Sequence, residues 1–274
     1  MEVRLYLLVL AVMLMGSGRA QLYEFLQELP ESSSTNRQLA ISQHSEVIAV
    51  GSDDGGLHIY FNNGSKFGTY QEYSVGAYSI ISTGITPDGK WVAVAGFTKN
   101  PDFQTRVSVF CYEPRTNSYR EFFNFYNEIT GAFAVAISND HQWLFSGHGF
   151  TLEVEVFKFA GDTYKPHEVL VVPGPIASLD LTDDGMFLAV GLFKSSIVIF
   201  KSNGNGYDRF QEIRFSGSDV IRRVSLTGDG KRLLISHTFN FFVDIYEFNE
   251  ISQQFELLPV NGSLVFPGEL TSSA

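Results

Sequence analysis

One short pattern returns five times along this 274-residue chain, and it restricts the fold more than any other property of the sequence. SQHSEVIAVG begins at Ser42, TPDGKWVAVAG at Thr86, SNDHQWLFSG at Ser138, TDDGMFLAVG at Thr182 and TGDGKRLLIS at Thr227, so the spacings are 44, 52, 44 and 45 residues. A second, alternating run follows each one: LHIYF (57–61), VSVF (107–110), VEVF (154–157), IVIF (197–200) and VDIY (243–246). A polar turn and a third run with an aromatic near its start come next, and a short apolar segment such as YSIISTGI (78–85) or IASLDL (176–181) precedes each Ser or Thr. Apolar residues at every second position are what a strand needs to bury one face. One period thus holds four short strands, and four strands in about 45 residues is the signature of a β-propeller blade. The chain is expected to be all-β, with repeats at about 38–74, 78–126, 131–172, 175–215 and 220–260.

The recurring Asp-Gly pairs, Asp88-Gly89, Asp184-Gly185 and Asp229-Gly230, read as hairpin turns between the innermost and second strands. Gly supplies the positive φ, and Asp bonds its own backbone. Repeats one and three carry His44-Ser45 and Asp140-His141 instead, so those hairpins should be less ideal. The Ala and Gly residues of WVAVAG and FLAVG fit strands pressed by neighbouring blades on both sides. Closure has two readings. LYEFLQEL (22–29) resembles an outermost strand, and VFPGELTSS (265–273) parallels VVPGPIASL (171–179), which leads into an innermost one. Five blades with an N-terminal strap are favoured over a six-bladed ring lacking its middle strands, because an open blade leaves unpaired edges.

The pattern D-G-x-x-[LV]-A-V-[AG], a loop, then V-x-[VI]-[FY] resembles the YVTN and WD40-like propeller superfamily, lactonase-like propellers included, over roughly residues 38–258. The Trp-Asp and Gly-His dipeptides of true WD40 repeats are missing from it, so the resemblance is to the broad class. It implies a rigid scaffold whose loops carry the function. It also implies an enzymatic alternative, a lactonase-like hydrolase, although its catalytic acids map onto no residues of this chain.

Net charge and the N-terminus narrow the partners. Nineteen Lys and Arg against 30 Asp and Glu give −11, and no four basic residues are consecutive. That argues against nucleic acid, whose phosphates need clustered cations, and against an anionic membrane surface. Residues 1–20, with Arg4, an apolar run from Leu5 to Met15 and small residues at Gly18 and Ala20, read as a secretory signal peptide cut after Ala20. The alternative is an uncleaved N-terminal anchor. A secreted or lumenal domain at 21–274 follows, with no membrane span after cleavage, and it makes the sequons at Asn63 and Asn261 candidate glycosylation sites. The one cysteine, Cys111, excludes an internal disulfide framework and reads as a small strand residue.

No G-x-S-x-G elbow and no Gly-rich phosphate loop with Lys occurs in the sequence, and no cofactor is implied. In this class the loops between second and third strands share a face with the blade-to-blade connections. Here they are 52–56, 97–106, 148–153, 192–196 and 237–242. Long loops on a rigid scaffold are where binding concentrates. The binding-face candidates are Phe97, Lys99, Asp102, Arg106, His148, His237, Phe239 and Phe241. His148 and His237 take equivalent positions in repeats three and five and are weak metal candidates, because no third ligand recurs beside them. The sequence thus reads as a non-enzymatic binding or scaffold propeller for a protein or glycan partner.

Overall fold

The computed structural model describes residues 36–258, except 45, 65, 77, 99–103, 128–130, 194–195, 216–219 and 239–241, together with 264–265. These residues form 21 strands and no helix. Blade 1 holds β1 (Asn36–Ile41), β2 (Val47–Ser52), β3 (Gly56–Asn62) and β4 (Phe67–Ser74). Blade 2 holds β5 (Tyr78–Ile85), β6 (Trp91–Thr98), β7 (Thr105–Glu113) and β8 (Ser118–Asn127). Blade 3 holds β9 (Ala132–Ile137), β10 (Trp143–His148), β11 (Glu153–Phe159) and β12 (Tyr164–Val171). Blade 4 holds β13 (Ile176–Leu181), β14 (Phe187–Leu192), β15 (Ser196–Ser202) and β16 (Tyr207–Arg214). Blade 5 holds β17 (Ile221–Leu226), β18 (Arg232–His237), β19 (Phe242–Asn249) and β20 (Gln254–Leu257), and β21 (Leu264–Val265) pairs with the start of β19. Each blade is an antiparallel meander in sequence order, and the fold is a five-bladed β-propeller. Of the segments invoked for closure, 22–29 and 266–273 lie outside the described residues.

The repeat is explained by one hydrogen-bonded unit. In blade 4 the Thr182 hydroxyl donates to Asp184 Oδ1 at 2.7 Å and accepts from the Phe187 amide at 3.0 Å, while the Met186 amide donates to Asp184 Oδ1 at 2.8 Å. Thr86–Asp88, Ser138–Asp140 and Thr227–Asp229 repeat it. The hydroxyl ties the first amide of the second strand to the turn, which is why Ser or Thr returns at every start. Gly89, Gly185 and Gly230 take φ of 69°, 68° and 69°. In blade 3 an L-residue does so: His141 has φ of 51°. That is the less ideal turn expected there, yet its hydrogen bonds are kept, and the His141 ring stacks on Trp91 with centroids 4.6 Å apart.

A second device joins each of the three middle turns to the outermost strand of its own blade. The buried Tyr164 hydroxyl donates to the His141 carbonyl and that of Tyr207 to the Gly185 carbonyl, both at 2.7 Å, and Tyr119 donates to the Gly89 carbonyl. Phe67 and Phe255 fill the same position in blades 1 and 5.

Neighbouring blades meet through sequence-encoded closeness. Strands β2 and β14 are buried along their whole length, on both faces. A Cβ on Gly51 would lie 2.2 Å from Ile80 of the next blade, and one on Gly191 would lie 2.8 Å from Val224, so side chains there would wedge the blades apart. The innermost strands carry a β-bulge at one common place, leaving Ile81, Phe133, Ala177 and Arg222 as the extra residues in blades 2 to 5. The next position bridges blades: Gln38 Oε1 accepts from the Thr83 amide at 3.2 Å, Ser82 Oγ from Val135 at 3.0 Å and Ser178 Oγ from Val224 at 3.3 Å. Cys111 is buried in β7 with its thiol pushed up by burial, in keeping with a strand-packing role.

Candidate functional site

The loops singled out in the sequence do share one end of the propeller with the blade-to-blade connections. The Val75 amide donates to Gly55, Phe193 to Pro175 and Thr238 to Val220, each at 2.9 Å, and Gly149 donates to Gly131 at 3.3 Å. At this end phenylalanines from three blades converge. Phe97 is the last residue but one of β6, Phe150 lies in the β10–β11 loop and Phe193 follows β14, while Phe133 is the bulged residue of β9. The Phe133 ring is the hub, with centroids 5.1 Å from Phe97, 5.9 Å from Phe150 and 6.4 Å from Phe193. Phe150 is 58% exposed and Phe193 36%, so the cluster is a wet aromatic surface and not a core. Gly149 makes room for it, since a Cβ there would come within 2.6 Å of the Phe133 ring.

The other candidates divide. Arg106 belongs to the scaffold. Its guanidinium donates to the Val75 carbonyl and to Glu121 Oε1 at 2.7 Å, its Nε donates to Ser108, and it lies over the Tyr126 and Tyr78 rings at 5.1 and 5.7 Å. It fastens blade 2 to the end of blade 1. His148 and His237 end β10 and β18 as buried side chains, not as rim residues. His148 Nε2 lies 3.1 Å from Glu155 Oε2, and His237 Nε2 lies 3.3 Å from Asp244 Oδ2. Each imidazole meets a carboxylate of its own blade, on equivalent positions of the third strand, and blade 4 has Leu192 and Val198 there instead. Among the described residues no group of three His, Cys, Asp or Glu is arranged to hold a metal.

Lys99, Asp102, Phe239 and Phe241, the sequon at Asn261 and the N-terminal segment 1–20 lie outside the described residues. Asn63 is exposed in the β3–β4 turn, at the opposite end from the phenylalanines, and its Oδ1 accepts from the Lys66 amide at 3.1 Å. Of the four clustered phenylalanines the sequence singled out Phe97 alone. Phe150 and Phe193 were legible as apolar residues stranded in loops, whereas Phe133 looked like one more strand position in GAFAVAI.

A cavity of about 830 Å³ lies on the axis, toward the end formed by the first-to-second-strand turns. None of the sequence-predicted site residues lines it.

No protein-family profile matches the chain. Two uncharacterized proteins of Staphylococcus aureus, from strains bovine RF122 and USA300, are each 26% identical over 136 residues, 44% of this chain and 40% of theirs. The chain thus spans well under half the length of these curated relatives. Three solved structures share its fold. One is a putative 6-phosphogluconolactonase from Bacteroides uniformis, with TM-score 0.64 and 16% identity, covering 83% of this chain and 70% of that one. The second is the Cps50 (Swd1) β-propeller domain of Myceliophteria thermophila, with TM-score 0.63, 13% identity and coverage of 84% and 72%. The third is a functionally unknown protein from Desulfotomaculum acetoxidans, with TM-score 0.65, 17% identity and coverage of 85% and 72%. The fold is therefore the propeller shared by lactonase-like and WD40-type structures, as the repeat pattern implied.

Proposed function

We propose that this chain is a non-enzymatic binding propeller, secreted or lumenal, which holds a protein partner on the phenylalanine cluster of blades 2 to 4. The observation that supports this most is the exposure of Phe150 and Phe193 around the Phe133 hub. Phenylalanine has no polar group, so keeping such rings in water yields nothing until an apolar surface covers them. A central aromatic patch is also what carries most of the energy in protein interfaces. A protein side chain fits this patch better than a glycan, because no hydroxyl or carboxylate is part of the ring cluster itself. The rigid blades supply preorganisation, which lowers the ordering cost of binding.

The test is capture of partners from secretory-pathway material with the wild-type chain and with a Phe150→Ser/Phe193→Ser variant. A partner retained by the wild type and lost by the variant, with the variant's melting temperature unchanged, is expected. A partner set identical for both proteins would sink the reading. A lactonase-like hydrolase would instead turn over lactones, with activity indifferent to these two substitutions.

A further inference from the structure

Strands β4, β8, β12, β16 and β20 are the last of their sheets, so each leaves one edge without a partner strand among the described residues. An open edge recruits other chains unless charges or proline guard it. The exposed positions of β16 are Asp208, Arg209 and Arg214, and β8 exposes Arg120 and Glu121. β12 begins in the same way, with Lys165, Pro166 and His167 exposed, and its start is covered as well: His167 Nε2 lies 2.6 Å from the Asn205 carbonyl oxygen of blade 4. Its second half is different. Val169 is 52% exposed and Val171 68%, two apolar side chains on one face with no charge between them.

The main chain of the same residues is also turned outward. The Val172 amide donates to the Leu152 carbonyl at 3.0 Å, and the register then runs through Leu170 opposite Val154 to Glu168 opposite Val156. Bonded pairs alternate along an antiparallel ladder. Glu168 and Leu170 therefore direct their amides and carbonyls to β11, while Val169 and Val171 direct theirs to the open edge. Free main-chain groups beside alternate apolar side chains are what an extended chain needs in order to add itself to a sheet.

The neighbouring charges decide which chain fits. Residues directly opposite one another share a face, and Glu155 stands opposite Val169 and Glu153 opposite Val171. An added strand lies two strand spacings from β11, about 10 Å. A Lys or Arg opposite either valine spans that distance, with its methylenes over the valine and its charge toward the glutamate. An acidic strand is repelled by the same two residues. A second copy fits poorly, because in a two-fold pairing centred on Leu170 each valine faces a valine and no cation reaches the glutamates. We propose that the outer edge of β12 takes up an extended, lysine- or arginine-containing segment of another protein as a fifth strand of blade 3, with its cationic side chains over Val169 and Val171. The proposal does not rest on the partner assigned to the phenylalanine cluster.

Fluorescence anisotropy of a labelled hexapeptide of alternating threonine and lysine, titrated with the full chain, tests it. Two control peptides accompany it: one with glutamate in place of lysine, and the lysine peptide N-methylated throughout, which keeps its charge and loses its main-chain donors. Saturable binding of the lysine peptide is expected, with both controls weaker by at least about tenfold. The double variant Val169→Lys/Val171→Lys, which guards this edge as the others are guarded, should weaken binding by at least about tenfold, and Glu153→Gln by less. Both valines are exposed, so the double variant should melt like the wild type. Should it fail to fold, the N-methylated peptide puts the same question to the wild-type chain. The proposal is overturned if the lysine peptide does not saturate, if the N-methylated peptide binds equally well, or if the folded double variant binds like the wild type. It is overturned too if sedimentation shows a dimer of this chain that the double variant dissociates. Phe150→Ser should leave peptide binding unchanged, which separates this edge from the phenylalanine cluster.

Discussion

Tyr207→Phe removes one oxygen from a well-packed place and so isolates a single term. The hydroxyl donates to the Gly185 carbonyl at 2.7 Å, while the ring packs edge-on against Phe145 at 5.1 Å and Trp143 at 5.9 Å. Those ring contacts survive the substitution, so no cavity larger than the lost oxygen opens. What is lost is a buried hydrogen bond whose acceptor stays behind, a cost of about 1–2 kcal/mol. In a chain of this size that lowers the melting temperature by about 2–4 °C per kcal/mol. Urea unfolding followed by tryptophan fluorescence and far-ultraviolet circular dichroism reads it directly. Tyr126→Phe, on an exposed ring, is the control and should stay within about 0.5 kcal/mol of wild type. Blade 5 offers the reverse experiment, because Phe255 fills the equivalent buried position beside the Gly230 turn. Phe255→Tyr should restore part of what Tyr207→Phe removes. If Tyr207→Phe unfolds with wild-type stability, the tyrosines are fillers and not latches, and the account of the repeat is wrong.

The same tyrosines predict alkaline behaviour. Burial raises Tyr119, Tyr164 and Tyr207 well above the usual phenol value of 10.0, and Tyr246 to about 12. A raised folded value favours the protonated phenol in the fold, so the stabilisation is complete below pH 10 and is lost as pH rises beyond it, by about 1.4 kcal/mol per unit for each such tyrosine. Tyrosinate absorbance near 295 nm should therefore rise together with loss of circular dichroism, not ahead of it. The His148–Glu155 pair should be replaceable: the double variant His148→Leu/Glu155→Val copies blade 4 and should lie within about 1 kcal/mol of wild type, whereas Glu155→Val alone, which strands the imidazole, should cost about 1–3 kcal/mol by thermal unfolding. Gly149→Ala should force the Phe133 ring to move, at a cost of about 1–3 kcal/mol in the same assay, and reduce partner capture.

Much of the scaffold could be read from the chain because it is written five times. The Ser or Thr before each turn, the Asp two residues on and the small residues of the second strand are local solutions to local problems, so recurrence exposes them. Phe67 and Phe255 show the limit of that reasoning: they sit where tyrosines latch the middle blades, and only the hydrogen bonds explain why three positions are tyrosine. The functional face was harder. The loops were identifiable, but Phe133 reaches its neighbours through a bulge, and nothing in GAFAVAI marks that the register shifts there. His148 and His237 looked like rim residues because they end their strands. The acid that buries each lies on the next strand, a pairing that spacing alone does not disclose.

Site-specific photocrosslinking tests the central claim most directly. A benzophenone amino acid placed at Phe150 should capture a protein partner in secretory-pathway material, with loss of the adduct when Phe193 is changed to Ser. The comparison is the same reagent at Ile251, which is 96% exposed in the β19–β20 turn at the other end of the propeller. Adducts from position 150 and none of the same mass from position 251 are predicted. Equal capture from both positions, or capture from 251 alone, would contradict a binding face built on the phenylalanines.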